Sequence, residues 1–209
     1  MALRDHSLDD KITAAAREEF AQKGYTGASL RKIAGKAGVT VGAIQTRYPS
    51  KDALFACLLQ PFLEEIGALF RDTRADYYSG AGADFLQGLN ASMQQESAAI
   101  LRLIFDHYED AVLLLCRSAG SSLEHCFDGI VRRKIDESIA FFRQAGFTAI
   151  DETLLGLLIS AQFDGYRRIV LDCPQRETAE RYMASLMTYH FGGWTALFDS
   201  ATHVQEDIR

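Results

Sequence analysis

"SLRKIAGKAGVTVGAIQTRYPSK", residues 29–51, packs three helix starts and two stops into a short span. Ser29 stands where an N-cap is needed, and Leu30, Ile33, Ala34 and Ala37 after it share one helical face that stops at Gly38. Thr40 is placed to cap a second helix whose Ile44 and Tyr48 point inward at i, i+4, and Pro49 ends it. Ser50 then caps a third, with Asp52 in its first turn. Ala34 is small where two helices must approach, Val39 fills the turn, and Ile44 anchors the second helix from behind. An ordinary helical hairpin satisfies part of this pattern. A helix-turn-helix accounts for more of it, because its second helix must be short, rigidly held and open on one side.

Upstream, "LDDKITAAAREEFAQKGY" reads as a helix capped by Ser7 and ended at Gly24, with Leu8, Ile12, Ala15, Ala16 and Phe20 on one face. Charge separates this head from the rest. Residues 1–51 hold nine Lys/Arg against five Asp/Glu, a balance of +4, and the other 158 hold 13 against 23, a balance of −10. The overall charge of −6 therefore hides a basic end. Salt screens beyond about 10 Å, so the local field is what a polyanion would meet.

The segment "ITAAAREEFAQKGYTGASLRKIAGKAGVTVGAIQTRYPSKDALFACLL" resembles the N-terminal DNA-binding domain of the TetR/AcrR transcriptional repressors, without a gap over residues 12–59. The "GWTALF" near the C-terminus resembles, more weakly, the end of the final helix in many members. The resemblance implies an all-α protein of about nine helices. Residues 1–50 would be the helix-turn-helix DNA-binding domain, and 51–209 a helical ligand-binding and dimerisation domain. It further implies a ligand-responsive regulator, most simply a repressor, binding a pseudo-palindromic double-stranded DNA operator as a homodimer and released by a small-molecule effector.

Carried over by position, Thr40, Val41, Gly42, Ala43, Gln45 and Thr46 would face the groove. Ser29 and Arg31 would contribute from the preceding helix, and Arg47 and Lys51 would meet phosphates. Elementary chemistry is consistent with this: glutamine can pair with adenine through two hydrogen bonds, and a threonine methyl can contact thymine. Lys51 gains nothing from the dipole at a helix start, which makes a phosphate a sensible partner. The segment departs from the family in one respect. Where relatives carry a lysine and aromatics, as in "KGALYHYF", this chain has "VGAIQTRY".

The remainder reads as helical runs at about 51–78, 83–95, 97–116, 122–145, 151–171 and 175–198, with polar and frayed residues from about 200. Pro61 should kink the first of them. The helix at 151–171 carries Leu154, Leu157, Leu158 and Ala161 on one side and Leu155, Ile159, Phe163 and Tyr166 on another. The last helix sets Tyr182, Leu186 and Gly193 beside Met183, Met187, Trp194 and Phe198. Helices apolar on two faces are buried on two faces, the core and, by resemblance, a four-helix dimer interface.

Polar groups among apolar ones in "LRLIFDHYED" and "QFDGYRR" suggest a pocket for a mostly apolar effector. Arg102, Phe105, Asp106 and Tyr108 come from the first stretch, and Phe163, Tyr166 and Arg167 from the second, with Trp194 from the last helix.

No catalytic motif, metal-ligand spacing or cofactor signature emerges, so no enzyme activity, metal or cofactor is expected. An enzyme or a protein-binding adaptor with a non-functional head are the competing classes. Cys57, Cys116, Cys126 and Cys173 are scattered and read as buried or half-buried thiols. The start has no basic-then-apolar leader and no uninterrupted apolar run approaches the roughly 20 residues of a membrane span, so a cytoplasmic protein without a membrane partner is expected.

Overall fold

The computed structural model describes residues 6–79, 85–144, 146 and 151–206. Among them the chain is all-α, with nine helices and no strand. These are α1 (His6–Gly27), α2 (Leu30–Ala37), α3 (Val41–Arg47), α4 (Lys51–Ser79) and α5 (Phe85–Asp106), then α6 (Tyr108–Cys116), α7 (Cys126–Gln144), α8 (Glu152–Asp172) and α9 (Arg176–Glu206).

The helices pack as two compact units. One comprises the residues up to 65 together with 107–127, and the other 66–106 and 128 onward. Packing thus groups the start of α4 and all of α6 with the head.

In the first unit, Ile12, Ala16 and Phe20 of α1, Ile33 of α2, Ile44 of α3 and Leu54, Phe55 and Leu59 of α4 lose all contact with solvent. Phe20 and Phe55 meet edge to face at 4.8 Å. The stretch Lys51–Arg71 of α4 is long and apolar enough to cross a membrane by length and composition alone, at a mean hydropathy of 1.5. Here its large apolar side chains, Leu54, Phe55, Leu58, Leu59 and Phe62, build this core. Pro61 is exposed, and α4 continues through it as one helix.

Polar contacts tie α6 and the loop after it to α1 and α4. Arg17 pairs with buried Asp110 and also donates to the Leu58 carbonyl at 3.2 Å. The Tyr25 N–H donates to the Arg117 carbonyl at 2.7 Å, Thr26 Oγ1 to the Ala119 carbonyl at 2.7 Å, and the Ser122 N–H to Asp52 Oδ1 at 2.9 Å.

In the second unit α5 and α8 pack on α9. Phe85, Phe141, Phe142, Trp194 and Phe198 form an aromatic cluster with neighbouring centroids 5.1–5.9 Å apart. Gly165 lets α8 and α9 close up, since a Cβ there would lie 2.9 Å from Leu186 Cδ2.

Several local expectations need correction. Ser7 lies inside α1 rather than capping it, although helical dihedrals do break at Gly24 (φ 66°, ψ 171°). Ser29 has cap backbone geometry but its hydroxyl makes no cap bond, whereas Ser50 does accept from the Ala53 N–H at 3.0 Å. No break occurs at residue 96: α5 runs to Asp106, and the chain turns at His107 instead. That turn has no glycine or proline to announce it. It is held by tertiary contacts, a 3.2 Å link from the His107 ring to Glu65 and packing on Phe62. α9 continues to Glu206, beyond the expected fraying point. Cys57 and Cys116 are exposed rather than covered. The expected breaks at 79–82 and 146–147 fall mostly outside the described residues.

Candidate functional site

The turn between α2 and α3 is built by backbone chemistry. Gly38 adopts left-handed dihedrals (φ 69°, ψ 31°), which a glycine reaches without a Cβ penalty. The Gly38 and Val39 N–H groups return to the Gly35 and Ala34 carbonyls at 3.4 and 2.9 Å, the Schellman pattern that closes a helix end. Thr40 Oγ1 then accepts the Ala43 N–H at 3.1 Å and caps α3. That leaves its own O–H free to donate to an incoming oxygen.

Ile44 is fully buried and Tyr48 nearly so, which fixes α3 from behind. Thr40, Gly42, Gln45 and Thr46 are exposed, and Val41 and Ala43 half-exposed. The Thr46 hydroxyl donates back to the Gly42 carbonyl at 2.9 Å, so its methyl and remaining lone pairs are what it can present. Gln45 is exposed and carries both a donor and an acceptor.

The basic residues divide into two groups. Arg31 and Lys32 on α2 are exposed and have no ion pair among the described residues. Lys36, Arg47 and Lys51, by contrast, are engaged within the head. Arg47 Nε donates to Asp9 Oδ1 at 2.7 Å in a largely buried pair, and Lys36 pairs with Glu18 and Glu19 at 3.0 and 3.5 Å. The Lys51 ammonium donates to the Tyr25 and Ala28 carbonyls at 2.7 and 3.2 Å and sits 4.4 Å from the Tyr25 ring centre. It closes the C-terminal end of α1, where the dipole favours a cation. The reason for placing Lys51 on a phosphate therefore falls away, since backbone carbonyls supply its partner. Ser29 is half-buried beside this end.

In the second unit, a small cavity of about 30 Å³ lies among α5, α7, α8 and α9. Its walls are Leu89, Met93, Phe142, Ile159 and Phe163, with Glu96, Lys134, Ser138, Gln162, Tyr166 and Trp194 adding polar atoms. Glu96 and Lys134 form an ion pair there, with side chains only 10% and 15% exposed.

A relay of hydrogen bonds lines one side. Trp194 Nε1 donates to Gln162 Oε1 at 3.4 Å, Gln162 Nε2 to the Tyr166 hydroxyl, and that hydroxyl to Met187 Sδ at 3.2 Å. Burial, and secondarily the Glu96 carboxylate, pushes the Tyr166 phenol well above its ordinary pKa, so it stays a neutral donor. A larger recess of about 430 Å³ opens between α5 and α9, bounded by Ser97, Leu101, Arg102, Met183, Met187 and Thr188 among others.

The pocket residues expected from sequence fare unevenly. Phe163, Tyr166 and Trp194 line the small cavity, and Arg102 the recess. Asp106 and Arg167 do not: each is paired on the surface, Asp106 with Arg176 at 3.0 Å and Arg167 with Asp164 at 2.7 Å. Phe105 borders neither space, and Tyr108 falls in the other compact unit. Glu96 and Lys134 were missed. Their signal is an acid at spacing 4, 3, 4 with Leu89, Met93 and Ile100 on a buried stripe, and a lysine at spacing four with half-buried Ile130 and buried Ser138.

A short second helix, locked by a Schellman turn and opened on one face, defines the helix-turn-helix class, here on an all-helical body. Residues 12–58 match the family model of the bacterial regulatory proteins, tetR family, so the head of this chain is a TetR-family domain. No curated protein matches the sequence. Among solved structures, the chain is similar to FadR from Bacillus subtilis in complex with stearoyl-CoA (TM-score 0.60, 19% identity, 88% of this chain and 98% of that one). It is also similar to a TetR-like regulator from Rhodococcus sp. RHA1 (0.57, 19%, 92% and 100%). A third is NalD, the secondary repressor of the MexAB-OprM multidrug efflux pump in Pseudomonas aeruginosa (0.56, 18%, 88% and 95%). At these identities the likeness is one of fold, and the fold is that of TetR-family regulators.

Proposed function

We propose that this chain is a ligand-responsive transcriptional regulator, a repressor by its simplest reading, which works in the cytoplasm on a double-stranded operator. The observation that carries it is α3. Its inward residues are fixed by burial, while Thr40, Gln45 and Thr46 are left exposed on a rigid support. Arg31 and Lys32 supply phosphate contacts from α2, and Arg47 and Lys51 act through the head's integrity instead.

Residues 1–50 read DNA, and the rest senses effector and dimerises. Dimerisation rests on the uncovered side of α8 and α9. Leu157 is 64% exposed and Tyr189 75%, Leu154, Leu158 and Tyr182 are also exposed, and nothing stands within 4 Å of a Cβ built on Gly192 or Gly193. Trp194 faces the core and takes no part. The effector reading rests on the cavity in the second unit, and the stearoyl-CoA held by the Bacillus subtilis FadR structure is one precedent for a ligand in this fold. Among the described residues no cluster of three or more His, Cys, Asp or Glu side chains is placed to hold a metal ion, and a binding role needs none.

Selection of bound sequences from random DNA, followed by gel shift and sedimentation, tests the reading. A two-fold related motif bound by a dimer supports it. A monomer at micromolar concentration, or binding without sequence preference, contradicts it.

A further inference from the structure

The two spaces in the second unit share a wall. Tyr166 borders the small cavity and its hydroxyl donates to Met187 Sδ, while Met187 borders the 430 Å³ recess. On α5, Glu96 faces the small cavity and its neighbour Ser97 the recess. A molecule lying in the recess that displaces Met187, methionine being the most adaptable of apolar side chains, meets Tyr166 and with it the small cavity that Glu96 also lines.

What it meets there is a buried ion pair, and the two partners are unequal. Glu96 is short and buried, and of the residues lining its cavity only Lys134 is basic. Lys134 is nearly as covered, its side chain 15% exposed, but its flexible four-carbon stem can carry its charge outward. Glu137, one turn further along α7, is within reach of it there. A ligand anion would have to take Lys134 and leave Glu96 buried without a counter-ion, which is costly. A ligand cation takes Glu96 and lets Lys134 swing to solvent. The aromatic walls Phe142, Phe163, Tyr166 and Trp194 favour the same sign, because ring faces attract cations.

Resting on the effector reading of this cavity, we propose that the ligand is an amphipathic cation, an organic ammonium with an apolar body. Glu96 is its counter-ion, and Lys134 is the resident charge it displaces.

Trp194 is the chain's single tryptophan and lines the cavity, so its emission reports occupancy without DNA. Three probes share one apolar body: n-octylammonium, octanol and octanoate. The cation should bind at least about tenfold more tightly than the other two. Glu96→Gln should remove that advantage while leaving octanol unchanged, and Lys134→Met should strengthen cation binding. The double variant Glu96→Gln, Lys134→Met has no buried charge, and should also lose the preference if the single Glu96 variant does not fold. Preference for octanoate or octanol, or a cation preference that survives both Glu96 variants, overturns the charge assignment and leaves the effector reading standing. No binding of any probe to the intact protein overturns both.

Discussion

The head and the body handle charge in opposite ways. In the head, Arg17, Lys36, Arg47 and Lys51 are committed to Asp110, to Glu18 and Glu19, to Asp9 and to the carbonyls ending α1, and the exposed side chains of α3, Gln45 and Thr46, are polar and uncharged. In the body one pair, Glu96 and Lys134, is held in an aromatic cavity. A surface meant to recognise a rigid partner gains from side chains that are already fixed. A cavity meant to admit a small one gains from a pair that can be parted. The difference also says where substitutions should act through stability and where through binding.

The largest effect is expected at the anchor of the recognition helix. Ile44→Ala should cost about 2–5 kcal/mol, since the side chain is fully buried. Urea unfolding measures it, and a loss under half a kcal/mol would mean that α3 is not held as described. Next comes Lys51→Met, for about 1.5–3 kcal/mol, the range for hydrogen bonds to a charged group. Here the salt dependence of DNA binding is the sharper readout. A capping lysine leaves the slope unchanged, whereas a phosphate contact lowers it by about one ion.

Gly165→Ala should do less, about 1 kcal/mol, because the obstructing atom is the flexible end of Leu186. Leu186 is half-buried beside the exposed α8–α9 face, so its displacement should weaken the proposed dimer more than the fold. Comparing sedimentation with thermal unfolding separates the two. The smallest effect is at His190, whose ring burial holds the imidazole below its ordinary pKa and whose Nε2 is buried without a protein partner. The unfolded chain takes up this proton first as pH falls, so the contribution is complete above about pH 6.5 and is lost below it. His190→Gln should flatten the decline of Tm between about pH 6.5 and 5, and an unaltered decline would remove His190 as its source.

The head was legible because its rules are local. Gly38, Thr40 and Ser50 act on backbone groups within four residues, and the spacing of Ile33, Ala34, Ile44 and Tyr48 gives the buried face directly. The two faces of α8 and α9 were legible for the same reason, with Leu155, Ile159, Phe163, Met183 and Met187 buried and Leu154, Leu157 and Tyr182 exposed. Partners distant in sequence were not legible. Arg47 finds Asp9 across 38 residues and Lys51 reaches Tyr25 across 26, so both looked available for DNA. His107 breaks a helix through Glu65 and Phe62, which no nearby residue signals. Glu96 could have been noticed as a charge on an apolar stripe, but its meaning depends on Lys134 on another helix.

The central claim is that α3 reads DNA bases while α2 supplies the electrostatic grip. It is tested most directly by titrating one selected duplex, and variants mutated at single base pairs, over a range of salt with the intact protein, Gln45→Ala and Arg31→Ala. Gln45→Ala should lose discrimination at one base pair per half-site, worth about 1–3 kcal/mol, with its salt slope intact. Arg31→Ala should weaken all duplexes alike and lower the slope by about one ion per head. If both variants bind every duplex as the intact protein does, with the same salt slope, α2 and α3 are not the DNA-reading surface.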